Sequence, residues 1–315
     1  MNNNAMIVSC IIPCYRSENT ISAVVDEIRS TFLNRSEYQC EIILIDDCSP
    51  DGVYRVIEAL AKEDQNIHGI SLAKNFGQHN ALMAGMRTCT GDIIVCLDDD
   101  GQTPANEIFN LIDALDESTD VVYASYLHGQ KKHSFFRNLG SRANDWMLRV
   151  LLSKPRSIEI TSFFAAKRYV INEACQCDNP FPYAIGLVLR STNKIKNVDV
   201  VHRSRNSGQS GYTFKKLVGL WLNGFTAFSV VPLRIATAMG FVFSVLGFAY
   251  AIFIVIKKLV VPSVPVGYSS MMAVMIVIGG VLMLLLGMLG EYVGRIYMSI
   301  NRNPQYVIRK KTDEE

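Results

Sequence analysis

The chain has 315 residues, of which 49% are hydrophobic, so it is long enough for one large folded domain and additional apolar segments. Its 31 basic and 29 acidic residues give a formal net charge of +2, which by itself says little about nucleic acid, and no nucleic-acid partner is predicted. All eight cysteines precede the apolar C-terminal part of the chain. Because their spacing does not match a zinc site, we expect reduced and mostly buried thiols.

The N-terminal two thirds of the chain alternate between short apolar runs and segments with helical periodicity. The first residues, MNNNAM, are polar, and the apolar run after them is short and interrupted by Pro13, so no signal peptide is predicted. The predicted strands are 7–12, 41–45, 67–72, 92–97 and 121–124, and the predicted helices are 19–33, 53–63, 78–88 and 105–116. This order predicts an α/β fold in which a mostly parallel sheet carries helices on both faces.

Three of the predicted strands end in polar segments: PCYRSE, DDCSPDG and DDDGQTP. In such sheets, ligands bind outside the carboxyl ends of the strands, so these segments predict one binding edge. The sequence contains neither G-x-G-x-x-G nor G-x-x-x-x-G-K-[ST], which excludes the usual glycine-rich phosphate-binding loops.

The third segment carries three consecutive carboxylates, Asp98, Asp99 and Asp100. They are typical of a site where a divalent cation binds substrate phosphates. If strand geometry continues, Asp98 and Asp100 point to the same side and Asp99 points away. The alternative is an Asp-rich turn that caps a helix beginning near Pro104.

The C-terminal part contains two long uncharged stretches, 235–256 and 269–289, each long enough to cross a bilayer as a helix. The alternative is a pair of buried core helices. The preceding segment, 212–231, is amphipathic and contains Trp221, which is typical of a helix at a membrane surface, although a packed domain helix would show the same pattern.

These segments predict an organisation in six parts. They are a cytosolic catalytic domain (1–211), an interfacial helix (212–231), a first transmembrane helix (232–258), a non-cytosolic loop (259–268), a second transmembrane helix (269–290) and a cytosolic tail (291–315). Basic residues precede the first predicted span and follow the second, whereas the only basic residues near the loop between the spans are Lys257 and Lys258. We therefore expect both termini and the catalytic domain in the cytoplasm.

The segments IPCYRSENTI, LIDDCSPDG, NFGQHNALMAG and GDIIVCLDDDGQTP resemble the family 2 glycosyltransferases of the GT-A fold. The stretch HRSRNSGQSGYTFKKLVGLWLNGFTAFSVVPLRI and the two predicted spans are similar to the polyprenyl-phosphate glycosyltransferases, a group that includes dolichol-phosphate mannose synthase and bacterial undecaprenyl-phosphate sugar transferases. The resemblance covers nearly the whole chain. It implies an inverting transfer of a sugar from a nucleotide donor to a polyprenyl phosphate at the plasma membrane, with Mg²⁺ or Mn²⁺ as cofactor.

The resemblance also implies roles for individual residues. Asp98 and Asp100 match the metal-binding D-x-D pair, with Asp98 also beside the nucleotide and Asp100 in a catalytic role, and Gln102 matches a glutamine that joins them at the metal. The matches to the nucleotide-binding residues are Pro13, Tyr15, Asp46 and Asp47. Arg205, Ser210 and Tyr212 match the R-x-x-G-x-S-x-Y segment beside the membrane, with Arg205 in a catalytic role.

Four positions depart from the family pattern. Arg16 and Ser17 replace the usual Asn-Glu after the tyrosine, which questions how the nucleoside is recognised there. Gly211 stands where a lysine or asparagine is common, and Phe164 occupies the place of an arginine that several members use near the phosphates. Positive charge near the donor would then come from elsewhere or be dispensable.

The acceptor can be argued from its chemistry. A phosphate monoester has a second pKa near 6, so it is largely an anionic nucleophile at neutral pH and requires no strong general base. Basic and polar residues near the membrane would bind this phosphate, although each basic residue could equally be a solvated surface charge. The predicted acceptor-phosphate residues are Arg137, Arg142, Arg203, Arg205, Ser210 and Tyr212.

The sequence alone leaves two other functions open. A processive polysaccharide synthase of the same superfamily usually carries a Q-x-x-R-W motif and more spans, which this sequence lacks. A catalytically silent, membrane-tethered nucleotide-binding scaffold would fit the substitutions Arg16 and Phe164, while Asp98, Asp100 and Gln102 argue against it. The tail, with the run PQYVIRKK, is interpreted as a short helix and strand, and in the family it can contribute to subunit contacts in a homo-oligomer.

Overall fold

The computed structural model describes residues 5–126, 158–201 and 267–313 except 302, together with scattered positions between 238 and 260. The strands are β1 (Met6–Cys14), β2 (Tyr38–Asp46), β3 (Ile67–Leu72), β4 (Ile93–Cys96), β5 (Val121–Tyr126), β6 (Phe164–Lys167), β7 (Ile195–Val200) and β8 (Ile308–Lys311). The helices are α1 (Ile21–Phe32), α2 (Val53–Glu63), α3 (Gln78–Thr88), α4 (Ile108–Ile112), α5 (Arg168–Ala174), α6 (Ala184–Ser191) and α7 (Tyr268–Ile300), and a 3₁₀ turn, Ala105–Glu107, precedes α4.

The described strands form one eight-stranded sheet in the order β7-β5-β6-β4-β1-β2-β3-β8. The pairs β1–β2, β1–β4, β2–β3 and β5–β7 are parallel, whereas β6 is antiparallel to β4 and β5, and β8 is antiparallel to β3. Four of the seven strand pairs are parallel, so parallel pairing predominates as predicted, but the sheet as a whole is mixed. The reason is that β6 and β8 enter the sheet outside the alternating strand-helix series that the sequence pattern revealed.

Helices cover both faces of the sheet, as predicted. The apolar residues of α1, α2 and α4 pack on one face, and those of α3, α5 and α6 pack on the other. Neighbouring residues of β1 alternate between these faces: Ile11 belongs to one core and Ile12 to the other, and both are fully buried. Each such side chain contributes about 1.5–3 kcal/mol to folding by leaving water.

Gly85 lies in the second half of helix α3, on the side that faces the sheet. A Cβ atom built on Gly85 would lie 2.5 Å from Cγ2 of Ile11 and 2.8 Å from Cδ1 of Ile45. The glycine therefore allows α3 to approach β1 and β2. This contact sets the position of the residues at the start of α3, which lie at the carboxyl edge of the sheet.

The chain divides into two compact units, residues 1–213 with 302–315 and residues 214–301. Within the second unit, α7 is 33 residues long, and its segment Val277–Gly294 is long and apolar enough to cross a membrane. It is the one such helix within the described residues, while Gly240–Tyr250 in the first predicted span forms a shorter apolar helix. Helix α7 begins where the second span was predicted but continues past residue 290 to Ile300.

The tail after α7 joins the sheet of the first unit. The strand predicted in PQYVIRKK is β8, which pairs with β3 of the same chain. This pairing covers the edge that β3 would otherwise expose.

Candidate active site

The carboxyl ends of β1, β2 and β4 meet at one edge of the sheet, as predicted for the three polar segments. β1 ends at Cys14, β2 at Asp46 and β4 at Cys96, and each is followed by a loop rather than by a helix directly. Because these strands are parallel neighbours, their loops contact one another.

Asp98 is the most strongly perturbed carboxylate of this edge. Its Oδ2 accepts a hydrogen bond from Ser162 Oγ at 2.5 Å, and its Oδ1 accepts one from Gln78 Nε2 at 3.1 Å. Burial, aided by the charges of Asp100 and Asp99, raises the pKa of Asp98 to about 6. The two hydrogen-bond donors are neutral, so they orient the carboxylate without neutralising it.

Asp99 and Asp100 face different partners. Asp99 Oδ2 accepts the backbone N–H of Tyr15 at 2.9 Å, and burial raises the pKa of Asp99. Asp100 accepts hydrogen bonds from the backbone N–H of Gln102 at 3.0 Å and from its side-chain Nε2 at 2.6 Å. Gly101 between them has a φ of 72°, a conformation that glycine adopts without strain.

The strand alternation expected for Asp98 and Asp100 does not apply, since β4 ends at Cys96. The triplet lies in the turn that follows, and this turn sends Asp99 to the β1 loop and leaves Asp98 close enough to Asp100 to be affected by its charge. Asp99 is therefore directed away from Asp98 and Asp100, as expected, but a turn rather than strand alternation causes this.

The two aspartates at the end of β2 hold loops. Asp46, which is 2% exposed, accepts the backbone N–H of Ser49 at 2.7 Å and Ser71 Oγ at 2.8 Å. Asp47 accepts the backbone N–H groups of Phe76 and Gly77 at 2.7 and 2.8 Å, and burial raises its pKa even though these bonds oppose the shift. Asp47 thus fixes the loop that leads into α3 and Gln78.

The β1 loop presents an aromatic ring and a guanidinium group. Pro13 lies within β1, and Tyr15 after it is 44% exposed. The guanidinium of Arg16 lies 5.6 Å from the centre of the Tyr15 ring, and Arg16 has a φ of 60°. Its backbone N–H donates to Ser49 Oγ at 2.7 Å, which ties the β1 and β2 loops together. Ser17 is buried at the base of this loop.

Sequence reasoning missed Ser162, Gln78 and Tyr126. Burial raises the pKa of Tyr126, at the end of β5, and the nearby charges of Asp98 and Asp100 raise it further. Phe164 is fully buried in the core against Tyr123, at a ring distance of 5.4 Å, so its side chain does not reach this edge. Ser162, two residues earlier, is the residue of this segment that contacts Asp98.

Two family models match the chain. Glycosyl transferase family 2 matches residues 9–174, which is more than half of the chain and includes every carboxylate described above. The chain belongs to glycosyl transferase family 2. The second model, the GtrB C-terminal hairpin, matches residues 231–296, a range that contains both predicted spans. The chain is therefore a glycosyltransferase, and the resemblance seen in the sequence motifs is confirmed.

Curated relatives resemble this glycosyltransferase over almost its full length. An undecaprenyl-phosphate 4-deoxy-4-formamido-L-arabinose transferase from Proteus mirabilis (strain HI4320) is 30% identical over 307 residues, covering 96% of this chain and 93% of the relative. The protein of the same name from Yersinia pestis (strain Pestoides F) is 30% identical over 319 residues, covering 100% and 96%.

Among solved structures, glucosyl-3-phosphoglycerate synthase from Mycobacterium tuberculosis in complex with Mn²⁺, UDP-glucose and phosphoglyceric acid has a TM-score of 0.52 at 18% identity. The alignment covers 71% of this chain and 78% of that chain. At this identity the similarity shows the fold, which is that of a GT-A-like glycosyltransferase.

The residues of this glycosyltransferase that were predicted to bind the acceptor phosphate lie outside the described residues. They are Arg137, Arg142, Arg203, Arg205, Ser210 and Tyr212.

Among the described residues, no three His, Cys, Asp or Glu side chains are arranged as a complete metal site. The donor set that is present consists of two carboxylates, Asp98 and Asp100, and the amide of Gln102, which hydrogen-bonds Asp100. Such oxygen donors fit Mg²⁺ or Mn²⁺ when substrate phosphates and water complete the coordination.

Proposed function

We propose that this glycosyltransferase moves a sugar from a nucleotide sugar to a polyprenyl phosphate at the cytoplasmic face of the plasma membrane, with inversion at the anomeric carbon. The observation that carries the proposal is the carboxylate pair, Asp98 and Asp100, held by neutral donors at the carboxyl edge of the sheet. Two relatives that are 30% identical over nearly the whole chain bear the name undecaprenyl-phosphate transferase, which supports undecaprenyl phosphate as the lipid.

The donor diphosphate would lie beside the carboxylate pair. Asp98, Asp100 and Gln102 would hold Mg²⁺ or Mn²⁺, which when bound neutralises charge on the departing nucleoside diphosphate. A bound cation would neutralise the half-buried Asp98, whose neighbours Asp99 and Asp100 are also acidic and whose own hydrogen-bond donors are uncharged. Tyr15 and Arg16, exposed at the same edge, would contact the nucleoside.

The reaction requires positioning more than proton transfer. A phosphate oxygen of the lipid forms a bond to the anomeric carbon while the bond from that carbon to the donor diphosphate oxygen breaks. The bonding electrons leave with the nucleoside diphosphate, so atoms and charges balance without an added base. In-line approach accounts for the inversion. Arg205 and the other predicted acceptor residues would bring the two anions together.

The decisive experiment uses purified full-length protein in detergent or vesicles. It measures the transfer of radiolabel from a panel of nucleotide sugars to undecaprenyl phosphate, extracted into organic solvent, with Mg²⁺, Mn²⁺ or EDTA. We expect lipid-bound label from one donor, dependent on the cation. Label that appears equally in EDTA contradicts the role of the cation, and the absence of label with any donor, from folded protein, contradicts the proposed transfer.

Two variants test the carboxylates directly. Asp98→Asn and Asp100→Asn keep the size of each side chain but remove its charge, so we expect a loss of transfer of about 100-fold or more. Asp26→Asn serves as the control, because Asp26 is an exposed residue of α1 whose contact with Arg29 is 3.7 Å long. Near-normal transfer by both site variants contradicts the assignment.

A further inference from the structure

The C-terminal segment 304–313, the tail strap, docks along the edge of the catalytic sheet through specific contacts at both ends. At one end, Gln305 is 5% exposed and its Nε2 donates to the carbonyls of Cys177 and Asn179 at 2.6 and 2.8 Å. At the other end, Thr312 exchanges hydrogen bonds with Gly69, from its own N–H to the carbonyl at 2.9 Å and from the Gly69 N–H to its Oγ1 at 2.8 Å. The strap is therefore an integral part of the catalytic unit.

Between these ends, the tail strap reaches toward the proposed nucleotide side of the site. The guanidinium Nη2 of Arg309 donates to Ser71 Oγ at 3.0 Å, and Ser71 Oγ donates to Asp46 Oδ2 at 2.8 Å. The other oxygen of Asp46 accepts the backbone N–H of Ser49 at 2.7 Å. A continuous chain of hydrogen bonds thus links the strap to the loop that follows β2.

The polarity of this chain is determined by the chemistry of Arg309. A serine hydroxyl has a single proton and can also accept, whereas a guanidinium can only donate. Because Arg309 donates to Ser71, the hydroxyl proton of Ser71 is left to point at Asp46. Ser71 is fully buried and Asp46 nearly so, which makes a misdirected hydroxyl unfavourable at this position.

We propose that Arg309 is a positioning residue for the nucleotide sugar, which acts through Ser71 to orient Asp46 and the β2 loop. The proposal rests on the proposed function, which places Asp46 beside the nucleotide. Burial, with the charges of Glu58 and Asp46, raises the pKa of Tyr54 in the first turn of α2, and Arg309 opposes this rise, so Tyr54 lies near both Asp46 and Arg309. The segment that follows the apolar helix α7 therefore takes part in donor binding.

Kinetics on the full-length enzyme tests the proposal. Arg309→Met and Ser71→Ala should each raise the KM for the donor about fivefold, with a smaller change in kcat, because each removes one hydrogen bond that acts on donor binding. The donor KM of the double variant should be no higher than that of either single variant, since both substitutions break the same series of hydrogen bonds. Arg309→Lys keeps a donor at this position and should restore part of the affinity.

Lys310→Met is the matched control. Lys310 is the neighbour of Arg309 on the same strand, and its nearest acidic partner, Glu58, lies 3.9 Å away. Lys310→Met should leave the donor KM within about twofold of the wild-type value. Equal KM values for Arg309→Met and Lys310→Met, or additive effects of Arg309→Met and Ser71→Ala, would overturn the proposal.

A second measurement separates this proposal from the proposed function. Hydrogen exchange of peptides covering 47–53 reports on the Ser49 amide without any substrate. We expect exchange there about threefold to tenfold faster in Arg309→Met than in Lys310→Met, at the same melting temperature. Unchanged exchange overturns the positioning role even if the wild type transfers sugar, whereas faster exchange in a protein that transfers no sugar contradicts the proposed function alone.

Discussion

Burial raises the pKa of Asp98 to about 6, although both of its oxygens accept hydrogen bonds from side chains that lie far away in the sequence. The bond from Ser162 opposes this rise, because it stabilises the charged form. A carboxylate with these properties is suited to a cation, since it is oriented in advance and gains a counter-charge when the cation and the substrate bind. Ser162 is therefore expected to tune how well the cation binds.

Ser162→Ala tests this role. The variant lacks the 2.5 Å hydrogen bond to Asp98 Oδ2, so Asp98 becomes harder to ionise and freer to rotate. We expect the half-saturating Mn²⁺ concentration for sugar transfer to rise about 10-fold. Ser30→Ala is the control, because its hydroxyl only bonds to the carbonyl of Asp26 in α1. An unchanged Mn²⁺ dependence in Ser162→Ala would show that Asp98 does not need this support.

His79 illustrates a different use of burial next to the site. Its ring packs edge-on against Tyr183 at 4.7 Å, and its Nδ1 has no hydrogen-bond partner among the described residues. Burial lowers its pKa to about 4. The neutral ring is thus a packing group.

The pH dependence of stability follows from this shift. Below pH 6.5 the unfolded chain takes up a proton at His79 that the folded chain does not bind, so folding stability is present above pH 6.5 and is lost as the pH falls toward about 4. His79→Phe keeps the ring contact and removes this loss. Relative to about pH 7.5, we expect the variant to gain about 1 kcal/mol over the wild type at about pH 5.5. Thermal unfolding is followed by circular dichroism in detergent at several pH values. If the idea is wrong, the stabilities of the wild type and of His79→Phe should change with pH in parallel.

At the level of elements, the strands that could be predicted are those with continuous apolar runs. β1 to β5 lie where these runs predicted them, since buried parallel strands are apolar on both faces. β6 has only four residues, and β7 mixes polar and apolar positions, so neither produces a clear pattern. The contacts of Ser162 and Gln78 with Asp98 were equally invisible, because they join residues 64 and 20 positions apart.

The close approach of α3 to the sheet gives an element-scale prediction. Gly85→Ala places a methyl group 2.5 Å from Ile11 and 2.8 Å from Ile45, so we expect a loss of about 1–3 kcal/mol in stability, more than the helix propensity gained. Ile45→Val removes one of the two clashing methyl groups. The double variant should therefore lose less stability than the sum of the losses in the two single variants, as measured by thermal unfolding. Additive effects would contradict the proposed contact.

At the level of the whole molecule, the sheet itself constrains the membrane topology. β8 pairs with β3, so residues 308–311 and residues 67–72 belong to one folded unit on one side of any membrane. If α7 crosses the bilayer once, the chain must cross a second time between residue 201 and the start of α7 to return to that unit. If α7 spans the membrane, two spans are therefore expected, and the basic residues at both flanks of the spans predict a cytoplasmic location for the unit.

Thiol labelling of single added cysteines tests this topology in spheroplasts of a bacterial expression host. Ser263→Cys lies in the predicted non-cytosolic loop, so an impermeant maleimide should label it in intact spheroplasts. Glu315→Cys should be labelled only after permeabilisation, because residue 315 follows β8, which belongs to the unit that is predicted to be cytosolic. The wild type, whose eight cysteines all lie in the catalytic unit, is the control and should stay unlabelled until permeabilisation.

Labelling of Glu315→Cys in intact spheroplasts would contradict the cytoplasmic assignment. A Ser263→Cys that is protected until permeabilisation would contradict the two spans, since a loop that never leaves the cytoplasm requires that neither segment crosses the membrane.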